Sequence, residues 1–174
     1  LLSDDDPRIK EKKQAIRDEA DQFIEKWQER TDYLENPSIL KEALDEYETF
    51  HRRRYGGGDV GYYFWLRQAL DQNDPVIKAY GNQTEEFVKK ISNDTQFFLL
   101  RVAKIKSDEQ GKFLADRELA PYRHFLEQLF VEAKYQLSEP EEKIMRLKST
   151  TAHSKWIEMT ESFLAKEERE VTTE

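Results

Sequence analysis

The chain has no cysteine, which excludes disulfides and thiolate metal sites and fits a reducing compartment, so cytoplasm is the expected location. Glycine and proline are scarce, 6 and 5 in 174 residues, which leaves few places where a helix is forced to stop. No apolar run approaches the ~20 residues of a membrane-spanning helix. The opening LLSDDDP lacks the basic and apolar regions of a signal peptide, and no membrane partner is expected. It also lacks an initiator Met, which reads as a chain beginning inside a longer protein. Positive charge is outweighed, with 28 Lys and Arg against 36 Asp and Glu; the net −8 opposes a phosphate backbone and argues against a nucleic-acid partner. Only three histidines occur, His51, His124 and His153, and no two stand at the i, i+4 spacing of a zinc-peptidase H-E-x-x-H helix.

What is present favours helices. Charged residues reach 37%, mostly Glu, Lys and Asp, while the 12% aromatic content argues for a packed core rather than disorder. A single domain of this length buries about 70% of its unfolded surface. The expected organisation is one helical domain over residues 1–165, with 166–174 a charged tail or the start of a connection to a further lobe. Asp6-Pro7 opens a first helix, with Asp4 and Asp5 favouring its positive end. Its narrow apolar face holds Ile16, Ala20, Phe23 and Trp27 and is expected to reach Leu34. Asn36-Pro37 starts a second helix, with Leu40, Ala43, Leu44, Tyr47 and Phe50 inward, ending at the glycines of residues 56–58. From 59 to 70 an aromatic-rich helix, apolar nearly all round, is expected to be buried on several sides.

Asn73-Asp74-Pro75 begins the longest periodic stretch, running to Ile105 and roughly 45 Å long if unbroken. Gly81-Asn82 is its expected weak point. A capping box is expected from Ser107 to Gln110 ahead of Phe113 and Leu114. Pro121 opens a helix with Tyr122, Phe125, Leu126, Leu129, Phe130, Ala133 and Leu137 on one face. Ser138 and Glu141 form another capping box, and Ile144, Met145 and Leu147 continue the apolar side. A last helix runs from 154 to 164 with Trp156, Ile157, Phe163 and Leu164. With no period-two strand signal and no repeat, the fold class is all-α, a bundle of about seven to eight helices.

Candidate chemistry is thin. Glu48-x-x-His51 is the helical half of a di-iron motif, but neither His124 nor His153 has a Glu three residues earlier to supply the second half. Residues 56–61 satisfy G-x-G-x-x-G without the preceding strand that dinucleotide binding requires, so they read as an interhelical loop. The basic run from His51 to Arg54 complements a helix C-terminus, or takes an acidic partner or a peptide carboxylate. The sequons at Asn82 and Asn93 fall on the long helix, and Glu141-Glu142 are first-turn charges. No catalytic, cofactor-binding or metal-ligating residue is assigned to this chain.

The stretch from 119 to 157 carries the most identity. Tyr135, Leu137 and Ser138, then the EEKI of 141–144, the LKS of 147–149 and Trp156, resemble the N-terminal region of the oligoendopeptidase F family, zinc metallopeptidases related to thimet oligopeptidase. The resemblance extends more loosely back to about Leu34. It implies the N-terminal lobe of a fold whose two helical lobes close on a deep cleft, with zinc held by an H-E-x-x-H helix in a later, C-terminal catalytic lobe. The partners it implies are that lobe and an oligopeptide substrate. The chain departs from the family at 166–171, KEEREV, where charges replace an alternating apolar segment. A stand-alone helical interaction module without catalysis is the alternative.

Overall fold

The computed structural model describes residues 1–54, 57–72, 74–149, 152, 153 and 155–164, with the side chains of Arg53 and Arg54 outside that set. Among the described residues there are nine α-helices and no strand. They are α1 (Arg8–Trp27), α2 (Pro37–Arg54), α3 (Gly58–Leu70), α4 (Pro75–Thr95), α5 (Phe97–Ala103), α6 (Ser107–Ala115), α7 (Arg123–Glu132), α8 (Glu139–Ser149) and α9 (Lys155–Leu164). The protein is all-α.

The expected caps at three starts are made. Asp6 Oδ1 accepts the Arg8 amide at 3.0 Å, and Asn36 Oδ1 accepts those of Ser38 and Ile39 at 2.9 and 3.4 Å. Asp74 accepts the amides of Val76 and Ile77 at 2.8 and 3.2 Å. Each relieves donors that the first helical turn leaves orphaned. At α8 the Glu141 carboxylate reaches back to the Ser138 amide at 2.9 Å, half of the capping box. At α6 the box is not formed: Ser107 is already helical, and the Gln110 side chain donates to the Ile105 carbonyl at 2.8 Å instead.

The core gathers α1, α2, α5, α6 and α7. Phe23, Trp27, Tyr33, Leu44, Phe98 and Leu126 lie in one buried cluster, with Ile16, Ala20, Phe50 and Ile91 in a second. Phe98 is fully enclosed, edge-on to Phe23 at 5.4 Å between centroids and 5.3 Å from Tyr33. Burial of such a ring stabilises by about 2–3 kcal/mol, and each well-set aromatic pair adds roughly 0.5–1.5 kcal/mol.

Four sequence expectations are corrected. The first helix stops at Trp27, and Leu34 reaches the core through a 3₁₀ turn over Asp32–Leu34. Arg30 holds Asp32 with two hydrogen bonds, at 3.0 and 2.8 Å, while its guanidinium lies over Trp27, and this turn buries Tyr33 edge-on against the indole. The long helix breaks at Gln96, not at Gly81-Asn82. Thr95 Oγ1 donates to the Ile91 carbonyl at 3.0 Å, a side-chain bond that bends helices. The change of direction lets the adjacent rings of Phe97 and Phe98 both be buried.

α3 is enclosed on one side only. Val60 and Phe64 face inward while Tyr62, Trp65 and Leu70 stand in solvent. α7 is shorter than its pattern suggests, bounded by 3₁₀ turns over Ala120–Tyr122 and Ala133–Tyr135, and Phe125 and Leu137 are exposed. The tail at 166–174, the helix start at Ser154, Asn73 of the cap signal, and Tyr55 and Gly56 of the glycine loop lie outside the described residues.

Candidate functional site

Glu48 and His51 serve separate contacts. Glu48 pairs with Arg52 one turn on and accepts the Tyr122 hydroxyl at 2.8 Å, and these bonds hold its carboxyl below the usual range. His51 stacks on Tyr47 at 4.1 Å, and burial pushes its imidazole pKa down. His124 is 85% exposed at its side chain, with Glu127 4.0 Å away, and His153 is exposed. Among the described residues no group of three His, Asp or Glu side chains is placed to hold a metal ion. The zinc implied by the family resemblance therefore has no fitting ligand set among them.

The glycine loop is a packing device. Gly57 adopts a left-handed φ of 86°, and a Cβ there would stand 3.0 Å from the Val88 side chain of α4. Glycine lets this turn lie on α4 as α3 begins, a different task from cradling a phosphate. Of the basic run, Arg52 is occupied by Glu48, while the side chains of Arg53 and Arg54 lie outside the described residues. Asn93 is buried, which removes it as a glycan acceptor, and Asn82 accepts Lys155 Nζ at 2.8 Å.

The segment from α7 to α9 changes character along its length. Leu126 and Leu129 are buried, but no described residue beyond Leu129 is. Ile144, Met145 and Leu147 on α8, and Trp156, Met159, Phe163 and Leu164 on α9, are each more than half exposed. The two helices meet the rest through polar bonds: Arg101 stands 3.8 Å from Glu139, Arg146 donates to Ser92 at 2.9 Å, and Lys78 to Ser162 at 3.1 Å.

Residues 102–166, from the end of α5 through α9, match the family model described as Oligopeptidase F. Over these residues the chain is similar to an oligopeptidase F N-terminal region. The match takes in Tyr135, Ser138, the EEKI and LKS runs and Trp156, while the looser likeness reaching back to Leu34 lies outside it. No curated protein and no solved structure matches the chain.

Within the matched segment, α9 supplies one wall of a cleft of about 750 Å³ whose other walls are α3 and α4. Phe64, stacked on Tyr80 at 5.3 Å, contributes its apolar floor. Gly81 lies under the Gln68 amide, which would collide with a Cβ at that position. Trp65 and Ile157 stand at the cleft, 61% and 41% exposed. Of its carboxylates, Glu158 bonds Lys155 at 2.6 Å and Glu85 bonds Lys89 at 2.5 Å, whereas Glu161 has no ion pair among the described residues. The sequence reading missed this site because its residues come from three helices up to about a hundred positions apart and share no local motif.

Sequence reasoning also missed what the acidic start does. Asp4 accepts the Tyr63 hydroxyl at 2.8 Å and two bonds from Arg67 at 2.9 Å, and Asp5 accepts the Tyr80 hydroxyl at 2.6 Å. The Arg67 and Tyr63 hydrogen bonds hold the Asp4 carboxyl below its usual range. These residues act as a clasp onto α3 and α4 rather than only as charges at a helix end.

Proposed function

We propose that this chain is the non-catalytic N-terminal helical lobe of a zinc metallo-oligopeptidase, walling the substrate channel so that only short, unfolded peptides enter. Hydrolysis belongs to a further lobe bearing the H-E-x-x-H helix and its zinc; that lobe and the oligopeptide substrate are the partners. The observation carrying this reading is the apolar face of α8 and α9, exposed within the very segment that matches oligopeptidase F. Exposed apolar side chains gathered in this number mark a partner surface. The residues of this chain would act by shape, excluding bulky folded substrates, and by contact with peptide backbone.

The test is the reading frame beyond residue 174. An in-frame H-E-x-x-H codon run supports the proposal, and a stop codon within a few dozen positions would leave a stand-alone interaction module. The purified chain, given zinc and a fluorogenic oligopeptide, is expected to release no product.

A further inference from the structure

The cleft between α3, α4 and α9 has a chemistry of its own. Its size falls within the range of ligand sites. Gln68, Gln72 and Asn82 bring side-chain amides that both donate and accept hydrogen bonds, the pairing that peptide N–H and C=O groups require. Phe64, Trp65, Val88 and Ile157 provide apolar area between them. The lining has neither the cluster of cations that a phosphate would need nor a carboxylate set able to hold a metal. Among the described residues Lys78 is the one basic side chain of the lining, and it donates to Ser162. Among the described residues Glu161 is the lining carboxylate with no ion pair, and it can receive a cation.

We propose that this cleft binds an extended peptide segment carrying apolar side chains and one basic group, held by the Gln68 and Gln72 amides and by the Glu161 carboxylate. The described residues that line it come from α3 and the turn after it, α4 and α9. It deepens the peptide-contact reading above but stands apart from it in one respect: a stop codon after residue 174 would overturn the oligopeptidase reading and leave the cleft's binding untouched.

The occupant enters beside α9, which rests on α4 through Lys78–Ser162 and Lys155–Asn82 and has no buried residue. A peptide filling the gap would cover the exposed parts of Ile157 and Trp65. Trp65 is then the natural reporter, because Trp27 is sealed in the core and Trp156 is not part of the lining.

The experiment uses the full chain with Trp156→Phe, titrated with the blocked peptide acetyl-Leu-Lys-Phe-Ala-amide while tryptophan emission is followed. The expected result is a saturable blue shift that is lost in Trp65→Phe. Gln68→Ala and Gln72→Ala, each checked for helicity by circular dichroism, should each weaken binding by about tenfold, as loss of a hydrogen bond implies. Glu161→Gln should abolish the preference for this peptide over its norleucine counterpart while leaving the norleucine peptide's binding in place. Absence of a saturable shift would overturn the proposal. So would a shift indifferent to both glutamine variants, which would place the peptide on the apolar face of α8 and α9. An emission change driven by protein concentration alone would also overturn it, because the cleft would then be filled by a second copy.

Discussion

The helices from α1 to α7 and the pair α8–α9 use the same sequence grammar to opposite effect. In α2, the apolar positions Leu40, Ala43, Leu44 and Phe50 are all buried. In α8 and α9, an equally regular stripe of Ile144, Leu147, Trp156 and Phe163 ends in water. Periodicity states that a face seeks burial; it does not say where the covering surface is. In the body of the protein the cover is supplied by neighbouring helices of the same chain, whereas α8 and α9 are fastened by polar bonds on their other side.

The sharpest way to break that contrast is to truncate one large side chain in each region. Leu126→Ala is expected to cost about 2–5 kcal/mol, the range for a buried leucine, whereas Trp156→Ala should cost less than about 0.5 kcal/mol. Urea denaturation of the isolated chain measures both, and equal losses would show that α9 is packed as tightly as α7. A second comparison concerns surface rather than stability. The protein should bind a hydrophobic dye, and Ile144→Ser combined with Leu147→Ser should remove a large share of the signal while leaving the urea midpoint in place. Dye binding insensitive to these changes would locate the sticky surface elsewhere, with the exposed aromatics of α3 the next candidate.

Acid provides a subtler probe of the body. The ordinary imidazole pKa is 6.5, and burial lowers that of His51 in the folded state. Just below pH 6.5 the unfolded chain therefore binds more protons than the folded one, so stability is retained above that pH and declines as pH falls through it. The urea midpoint should drop between pH 7.5 and 5.5, and His51→Phe should flatten that part of the profile. A profile unchanged by the substitution would mean that His51 titrates as freely as a surface histidine. The smallest effect is expected at Gly81→Ala. Helix propensity favours alanine by about 1 kcal/mol, and the obstacle is the movable end of Gln68, so a net gain of less than that amount is expected in the thermal midpoint.

The all-α class, the starts of α2, α4 and α8, and the inward faces of α1 and α2 were legible because they depend on neighbours in sequence. Asn36 and Asp74 cap amides two and three residues away, and that relation is visible in a string of letters. The break at Gln96 was not, because the burial of both Phe97 and Phe98 rewards it and depends on Phe23 and Tyr33, far away in sequence. The same reason hid Tyr33 as a core residue. For α3, a dense aromatic run suggested enclosure, yet Tyr62 and Trp65 stack on each other at 5.8 Å at the surface. The family likeness was readable from local runs such as EEKI, whereas the cleft, assembled from α3, α4 and α9, left no local trace.

The acidic clasp at the start of the chain also sets an order in time. Asp4 is joined to Tyr63 and Arg67, 59 and 63 residues later, and Asp5 to Tyr80, 75 residues later. At a synthesis rate of about 5–20 residues per second, these carboxylates have to wait several seconds on the ribosome before their partners exist. Asp4 and Asp5 are thus made well before the groups that secure them, and α1 emerges before its anchors on α3 and α4 exist. A nascent chain stalled before Arg67 would hold these two carboxylates open, available to whatever meets them at the exit tunnel.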